Sequence, residues 1–425
     1  MTAGVGRPRQ RVRLPVLGAL AVVASWSVVF AAAAQPAAAV DVQSKQWYLS
    51  AMQAEEMWKV STGEGIKVAV IDTGVNPNTP SLKGQVLKGL DATGAPGDEN
   101  DDYTSHGTNM AELIAGTGAG GGIKGLAPGA KVIPLRVNTA DFQKKHSGSA
   151  RDTEDAIKYA ADSEAQIISM SFGSLYSTPG EREAVEYAQK RGKIFFAAVG
   201  NNAKESNGES YPAAYPDVVG VASADKKGQV AEYSQNGNVV DIAAPGQEIP
   251  LWCDKSFRSY CNGDGGTSSA TAIASASAAL VWSANPDWTA NQVLNVLFDT
   301  AARDWKKGDR SAFLGHGLIR PAMNLLKGKG DPGDPDISPL TKKRTSAAPA
   351  SPEPSAPAPS APASPQPARN EGQKGGEGDE AVASGETTKA SGDDGPPVGL
   401  ILGGIAGVAV LGGVAFAVVR RRGAA

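Results

Sequence analysis

Lys67-Val68-Ala69-Val70-Ile71-Asp72-Thr73-Gly74 is a near-continuous apolar run closed by a carboxylate and a glycine turn. A run without polar alternation suits a strand whose sheet is covered on both faces. Similar runs recur at Lys131 to Val137, Ile167 to Met170, Lys193 to Val199, Val218 to Ala222 and Val239 to Ile242. Amphipathic segments near His106 to Ala115, Asp152 to Asp162 and Glu181 to Arg191 lie between them. This alternation predicts an α/β fold, a doubly wound, mostly parallel sheet flanked by helices. Such sheets meet their ligands at the carboxyl ends of the strands, which draws attention to Asp72, Ser171 to Gly173 and Gly200-Asn201.

The two ends of the 425-residue chain read differently from its middle. Arg7, Arg9, Arg11 and Arg13 precede an apolar run from Leu14 to Ala34 and then Ala37-Ala38-Ala39. That is a secretory signal over residues 1–39, with an uncleaved anchor as the alternative. Val398 to Val419 carries no charge and is followed by Arg420-Arg421-Arg422. At about 1.5 Å per residue it is long enough for a transmembrane helix over 398–419, and the arginines place a basic tail, 420–425, in the cytoplasm. Residues 328–397, rich in Pro, Ala, Ser and Gly, cannot bury a core and read as a disordered stalk. One folded domain, 40–327, remains. Only about 33 residues separate Val40 from Asp72, too few for a separate folding propeptide, so none is expected to be removed.

The net charge is −3, and without the seven arginines of the two ends it becomes −10, which leaves no electrostatic footprint for nucleic acid. Two cysteines, Cys253 and Cys261, are too few for an all-thiolate zinc site. Exported together, they are expected to form a disulfide pinning a local loop, with buried thiols as the alternative. Three histidines restrict any imidazole chemistry to His106, His146 or His316.

Taken singly, the candidate residues have plain explanations. Asp72 serves equally as a turn-capping carboxylate, and Asn201 as a left-handed turn residue. Thr267 or Ser268 serves as the N-cap of the small-residue helix from Ser269 to Ala279. His106 opens an apolar-periodic segment, and Gly107 permits another backbone to come close. Several chemistries are excluded. Asp72-Thr73-Gly74 has no second copy for an aspartic protease dyad. Met110 prevents a His-x-x-x-His zinc pair with His106. The glycine run Gly116 to Gly125 lacks the Lys-Ser/Thr of a nucleotide loop. The acidic stretch Asp98, Glu99, Asp101 and Asp102 lacks calcium-loop spacing and reads as a solvated loop. No metal and no cofactor is expected.

Together the residues say more. Asp72, His106 and Ser268 follow the chain order Asp, His, Ser. Val70 to Val75, His106-Gly107-Thr108, Gly121 to Pro128, Met170 to Gly173, Ala198 to Asn201 and Gly266-Thr267-Ser268 resemble the motifs of the subtilisin-like serine proteases, over Trp47 to about Leu326. The resemblance implies Ser268 as nucleophile, His106 as general base and Asp72 as the group that orients the imidazole. It implies Asn201 and the Ser268 backbone N–H as an oxyanion hole. It also implies substrate binding along Ser171, Phe172, Gly173, Ala198 and Gly200, and activity that rises as an ordinary imidazole deprotonates near about pH 6 to 7. Ser269, Ala272 and Asn109 stand where the family usually has methionine, proline and a second histidine.

Leader, protease domain, stalk, single helix and basic tail resemble more narrowly the mycosins, membrane-anchored proteases of type VII secretion. That resemblance implies an extracellular domain anchored in the cell membrane and acting on exported proteins or peptides beside a type VII secretion complex. The alternative is a structural component that stabilises the complex with little proteolysis.

Overall fold

A computed structural model describes residues 1–6, 42–138, 152–263 and 265–345. The expected leader beyond residue 6, His146, the stalk from residue 346, the membrane helix and the basic tail lie outside the described residues. Among the described residues no helix is long and apolar enough to cross a membrane.

Seven strands form one parallel sheet: β1 (Lys67–Asp72), β2 (Leu90–Asp91), β3 (Lys131–Arg136), β4 (Ile167–Met170), β5 (Ile194–Ala198), β6 (Val219–Ala224) and β7 (Ile242–Pro245). Their order is β2-β3-β1-β4-β5-β6-β7. Val68 and Val70 belong to one core, and Ala69 and Ile71 to a second core on the other face. Ile194 and Phe196 face the first core, while Phe195 and Ala197 face the second. Both faces are therefore apolar, which is why the strands read as unbroken runs.

Among the described residues the helices are α1 (Trp47–Ala51), α2 (Ala54–Met57), α3 (His106–Ala115), α4 (Asp152–Asp162), α5 (Pro179–Lys190), α6 (Thr267–Ala284), α7 (Ala290–Thr300) and α8 (Ala322–Lys327). α4 and α5 cover the second core; α3 and α6 lie in the first. α6 is buried on every side from Ser269 to Trp282, and its small residues let it cross β4 to β7 closely. Inside it, Thr271 and Ser277 return their hydroxyls to the carbonyls of Thr267 and Ile273, so these buried hydroxyls cost little.

The chain reverses its direction of travel across the sheet between β1 and β4, and the ends of those strands carry Asp72 and Ser171. A crevice outside that reversal is where such sheets bind ligands.

The N-terminal segment is part of the domain. Val42, Tyr48 and Met57 are fully buried, each such side chain contributing about 1.5–3 kcal/mol relative to exposure. Trp47 Nε1 donates to Gln247 O at 3.0 Å and Trp58 Nε1 to Leu126 O at 2.8 Å.

The structure differs from the sequence expectations in several places. Val239 and Val240 are buried but lie in a turn, Val240 N donating to Gly237 O, and β7 begins only at Ile242. A short antiparallel hairpin, β8 (Pro250–Trp252) and β9 (Tyr260–Asn262), lies where no strand was expected. The domain also does not stop at Lys327. The stretch 328–345, assigned above to the stalk, packs on α7: Asn291 Nδ2 donates to Pro335 O and Thr345 Oγ1, both at 2.8 Å, and Asn295 Nδ2 to Pro332 O at 3.0 Å. Ser338 is buried, and Leu340 packs on the first core. Polar composition hid this segment because side-chain amides of α7 satisfy its backbone.

Candidate active site

β1 ends on Asp72, which is 1% exposed. A carboxylate so buried needs a partner. His106, at the first position of α3, supplies it: His106 Nδ1 lies 2.7 Å from Asp72 Oδ1, with Thr73 N donating to the same oxygen at 2.8 Å. The imidazole is itself 39% exposed and open to a reactant. Gly107 permits this closeness, since a Cβ there would fall 2.2 Å from Gly74 O.

α3 has an unusual start. Ser105, its N-cap, has φ 76° and makes no side-chain cap. The first helical N–H groups are met from outside instead: His106 N by Thr104 Oγ1 at 3.1 Å, Gly107 N by Thr73 Oγ1 at 3.0 Å and Thr108 N by Asp102 Oδ2 at 2.9 Å. Asp102, placed above in a solvated acidic loop, is in fact buried, its oxygens held by Thr73, Thr104, Ser105 and Thr108. Burial pushes its carboxyl up, opposed by donors from Thr108, Thr104 and Thr73. Asp98 and Asp101 of the same stretch are exposed. Among the described residues no three His, Cys, Asp or Glu side chains gather in a way that suits a metal ion.

Ser268 occupies the first turn of α6, where backbone N–H groups and the helix dipole favour developing negative charge. Its Oγ donates to Ser171 O at 2.9 Å, and Ser171 Oγ donates to Ser268 O at 3.1 Å, tying the end of β4 to the start of α6. Asn201 Oδ1 accepts from Thr267 N at 3.0 Å and Thr267 Oγ1 at 2.9 Å. Holding the amide oxygen leaves Nδ2, next to Gly266, as the end that can donate to an incoming group. Gly200 before it has φ +106°, and a Cβ there would strike Gln235 Oε1.

Phe172 is half-buried and Gly173 exposed beyond β4, whereas Ser171 is buried and meets the site through its carbonyl. Ala198 is 3% exposed inside β5, so only Gly200 and Asn201 of that wall reach solvent. His316 stacks on Phe298 with ring centroids 4.4 Å apart, and burial with Arg310 and Arg303 nearby holds it down at about 4.

The hairpin before Ser268 is stapled by the disulfide Cys253–Cys261. It docks on α3: Trp252 N donates to Asn109 Oδ1 at 2.7 Å and Tyr260 OH to Glu112 Oε2 at 2.9 Å, while Thr79 Oγ1 donates to Glu112 Oε1 at 2.7 Å. Burial pushes Glu112 up to about 7. The docking roles of Asp102, Asn109 and Glu112 have no signature in local sequence. Only the position of Asp102, four residues ahead of His106, hinted at contact.

An oriented imidazole at the start of α3, a hydroxyl at the N-terminus of α6 that donates to Ser171 O, and the Asn201 amide are groups of the kind that acyl transfer uses. Known proteins match this chain. The model of the peptidase S8, subtilase family matches residues 63–318. Thermitase of Thermoactinomyces vulgaris is 36% identical over 211 residues, 48% of this chain and 72% of thermitase. Subtilisin Savinase of Lederbergia lenta is 34% identical over 261 residues, 61% of this chain and 92% of Savinase. Among solved structures, the MycP3 protease from the type VII (ESX-3) secretion system aligns with a TM-score of 0.57 at 30% identity, covering 69% of this chain and 89% of that one. MycP1 from Mycobacterium smegmatis aligns with a TM-score of 0.58 at 26% identity, covering 70% and 88%. Fold, site geometry and a family match spanning more than half the chain agree: this chain belongs to the subtilase family of serine proteases, which hydrolyse peptide bonds.

Proposed function

We propose that the chain is an extracellular, membrane-anchored serine endopeptidase that processes exported proteins in a type VII secretion setting. The observation that carries the chemical part is the 2.7 Å contact of Asp72 with His106, in a fold that also presents Ser268 at a helix N-terminus. Ser268 Oγ attacks the scissile carbonyl carbon as His106 Nε2 takes its proton, and Asp72 holds the Nδ1–H that orients the ring. Asn201 Nδ2 and the Ser268 N–H donate to the carbonyl oxygen as it becomes an oxyanion. The protonated His106 then gives its proton to the leaving amine, and water attacks the acyl-enzyme by the same route.

The leader and the uncharged run 398–419 support anchoring, and the likeness to MycP3 and MycP1 supports the secretion setting. A fluorophosphonate probe tests the chemistry. Wild-type protein should label on Ser268, and Ser268→Ala should not; an unlabelled native wild type would end the proposal.

A further inference from the structure

Asp102 is 8% exposed, and both its oxygens accept from backbone N–H and hydroxyl donors. Oδ1 accepts from Thr73 Oγ1 at 2.8 Å, Thr104 N at 3.0 Å and Ser105 N at 2.9 Å. Oδ2 accepts from Thr108 N at 2.9 Å and Thr108 Oγ1 at 2.7 Å. A buried carboxylate satisfied only by neutral donors is costly to keep, and a role in stability alone is better met by an apolar side chain.

Its partners have one thing in common. Thr104, Ser105 and Thr108 bracket His106 on both sides, and Thr73 follows Asp72 directly. Thr73 is the joint: its hydroxyl gives its proton to Asp102, and its oxygen is then available to accept from Gly107 N at 3.0 Å and Thr104 Oγ1 at 3.0 Å. The same residue's N–H holds Asp72 Oδ1. One carboxylate thereby fixes the hydroxyl that locks the end of β1 to the first turn of α3. Ser105, with φ 76°, is held in a conformation that serine rarely adopts.

We infer that Asp102 is a positioning residue for the acyl-transfer site, clamping the loop on both sides of His106 to Thr73 so that the imidazole meets Asp72 in working geometry. The inference rests on the proposed nucleophile and base. To Asp72, His106, Ser268 and Asn201 it adds a residue that touches no substrate and acts through the Thr73 hydroxyl.

The test is the rate of fluorophosphonate labelling of the full chain as a function of probe concentration, with folding checked by circular dichroism. Asp102→Asn keeps the shape but turns an NH2 toward donors. In folded protein the maximal labelling rate should fall about 10²-fold, the scale of a misplacement near 1 Å, with the half-saturating probe concentration unchanged. Folded Asp102→Asn labelling at the wild-type rate overturns the inference. So does a rise in half-saturating concentration alone, which would mark the loop as part of the binding surface. If Asp102→Asn does not fold, Thr73→Val, which cuts the one link from Asp102 to β1, takes its place: slow maximal labelling supports the clamp and an unchanged rate refutes it. Failure of the wild type itself to label is a different result, and removes the proposed function rather than the clamp.

Discussion

The side-chain oxygen of Asn109 accepts the backbone N–H of Trp252 at 2.7 Å, joining the helix that begins at His106 to the hairpin that runs into Ser268. A second histidine is usual at this position in the family, and here the amide ties two site-bearing segments together. Asn109→Ala leaves a buried N–H unpaired and should cost about 1–3 kcal/mol. The measurement is thermal denaturation in a Ser268→Ala background, which removes self-digestion; an unchanged midpoint would contradict the coupling.

Asp72→Asn keeps the shape of the side chain but turns an amide toward His106 Nδ1 and Thr73 N. The ring then loses its carboxylate partner and its tautomer is no longer set. Turnover of a peptide substrate should fall by about 10⁴-fold with little change in the circular dichroism spectrum. A loss under tenfold would show that the 2.7 Å contact does not govern the reaction.

Glu112 gives the stability a pH dependence. Burial raises its folded carboxyl from the ordinary 4.5 to about 7, so the folded protein keeps a proton that the unfolded chain releases. The favourable contribution is fully present below 4.5, declines as pH rises through the interval, and is lost above about 7. His316, held down at about 4, and Asp241, pushed up to about 6, titrate in overlapping ranges, so the informative quantity is a difference. Wild-type minus Glu112→Gln stability, from urea unfolding of Ser268→Ala proteins, should decline between pH 4.5 and 7 and be flat on either side. A flat difference throughout would refute a protonated Glu112.

Gly200→Ala places a methyl group where φ is +106° and Gln235 Oε1 already stands. Either the backbone at Asn201 moves or Gln235 gives up its bond to Gly208 O. Activity should fall at least tenfold, the range of a displaced oxyanion donor, while KM changes little. An alanine variant with full kcat would mean that Asn201 is not the donor.

Legibility in the sequence followed the physics of each part. β1 and β4 were plain because strands covered on both faces must be apolar throughout, and Asp72 was visible because it breaks such a run. α4 keeps its predicted limits because one apolar face recurs at helical period, and α3 keeps its limits although it is buried on every side after His106. α7 escaped notice although Thr289 and Gln292 form a capping box at its start. The hairpin was obscured by Asp254, Lys255 and Arg258 in its connection, since its order comes from a disulfide and from docking on α3. Asp102 reads as solvated for a related reason: its burial depends on donors from Thr73 and Thr108 that only the tertiary structure supplies.

The segment 328–345 has a mechanical consequence. Thr345 and Pro335 line a cavity with Lys193, Ile194 and Phe195, at the amino end of β5, whereas Asp72, Ser171 and Asn201 stand beyond the carboxyl ends of the strands. A pull on the chain beyond Thr345 therefore enters at the base of the sheet. It meets first the bonds of Thr345 to Asp336 and Asn291 and the ion pair of Arg344 with Asp336. The hold of segment 328–345 on the domain is thus at the opposite ends of the strands from Asp72, Ser171 and Asn201.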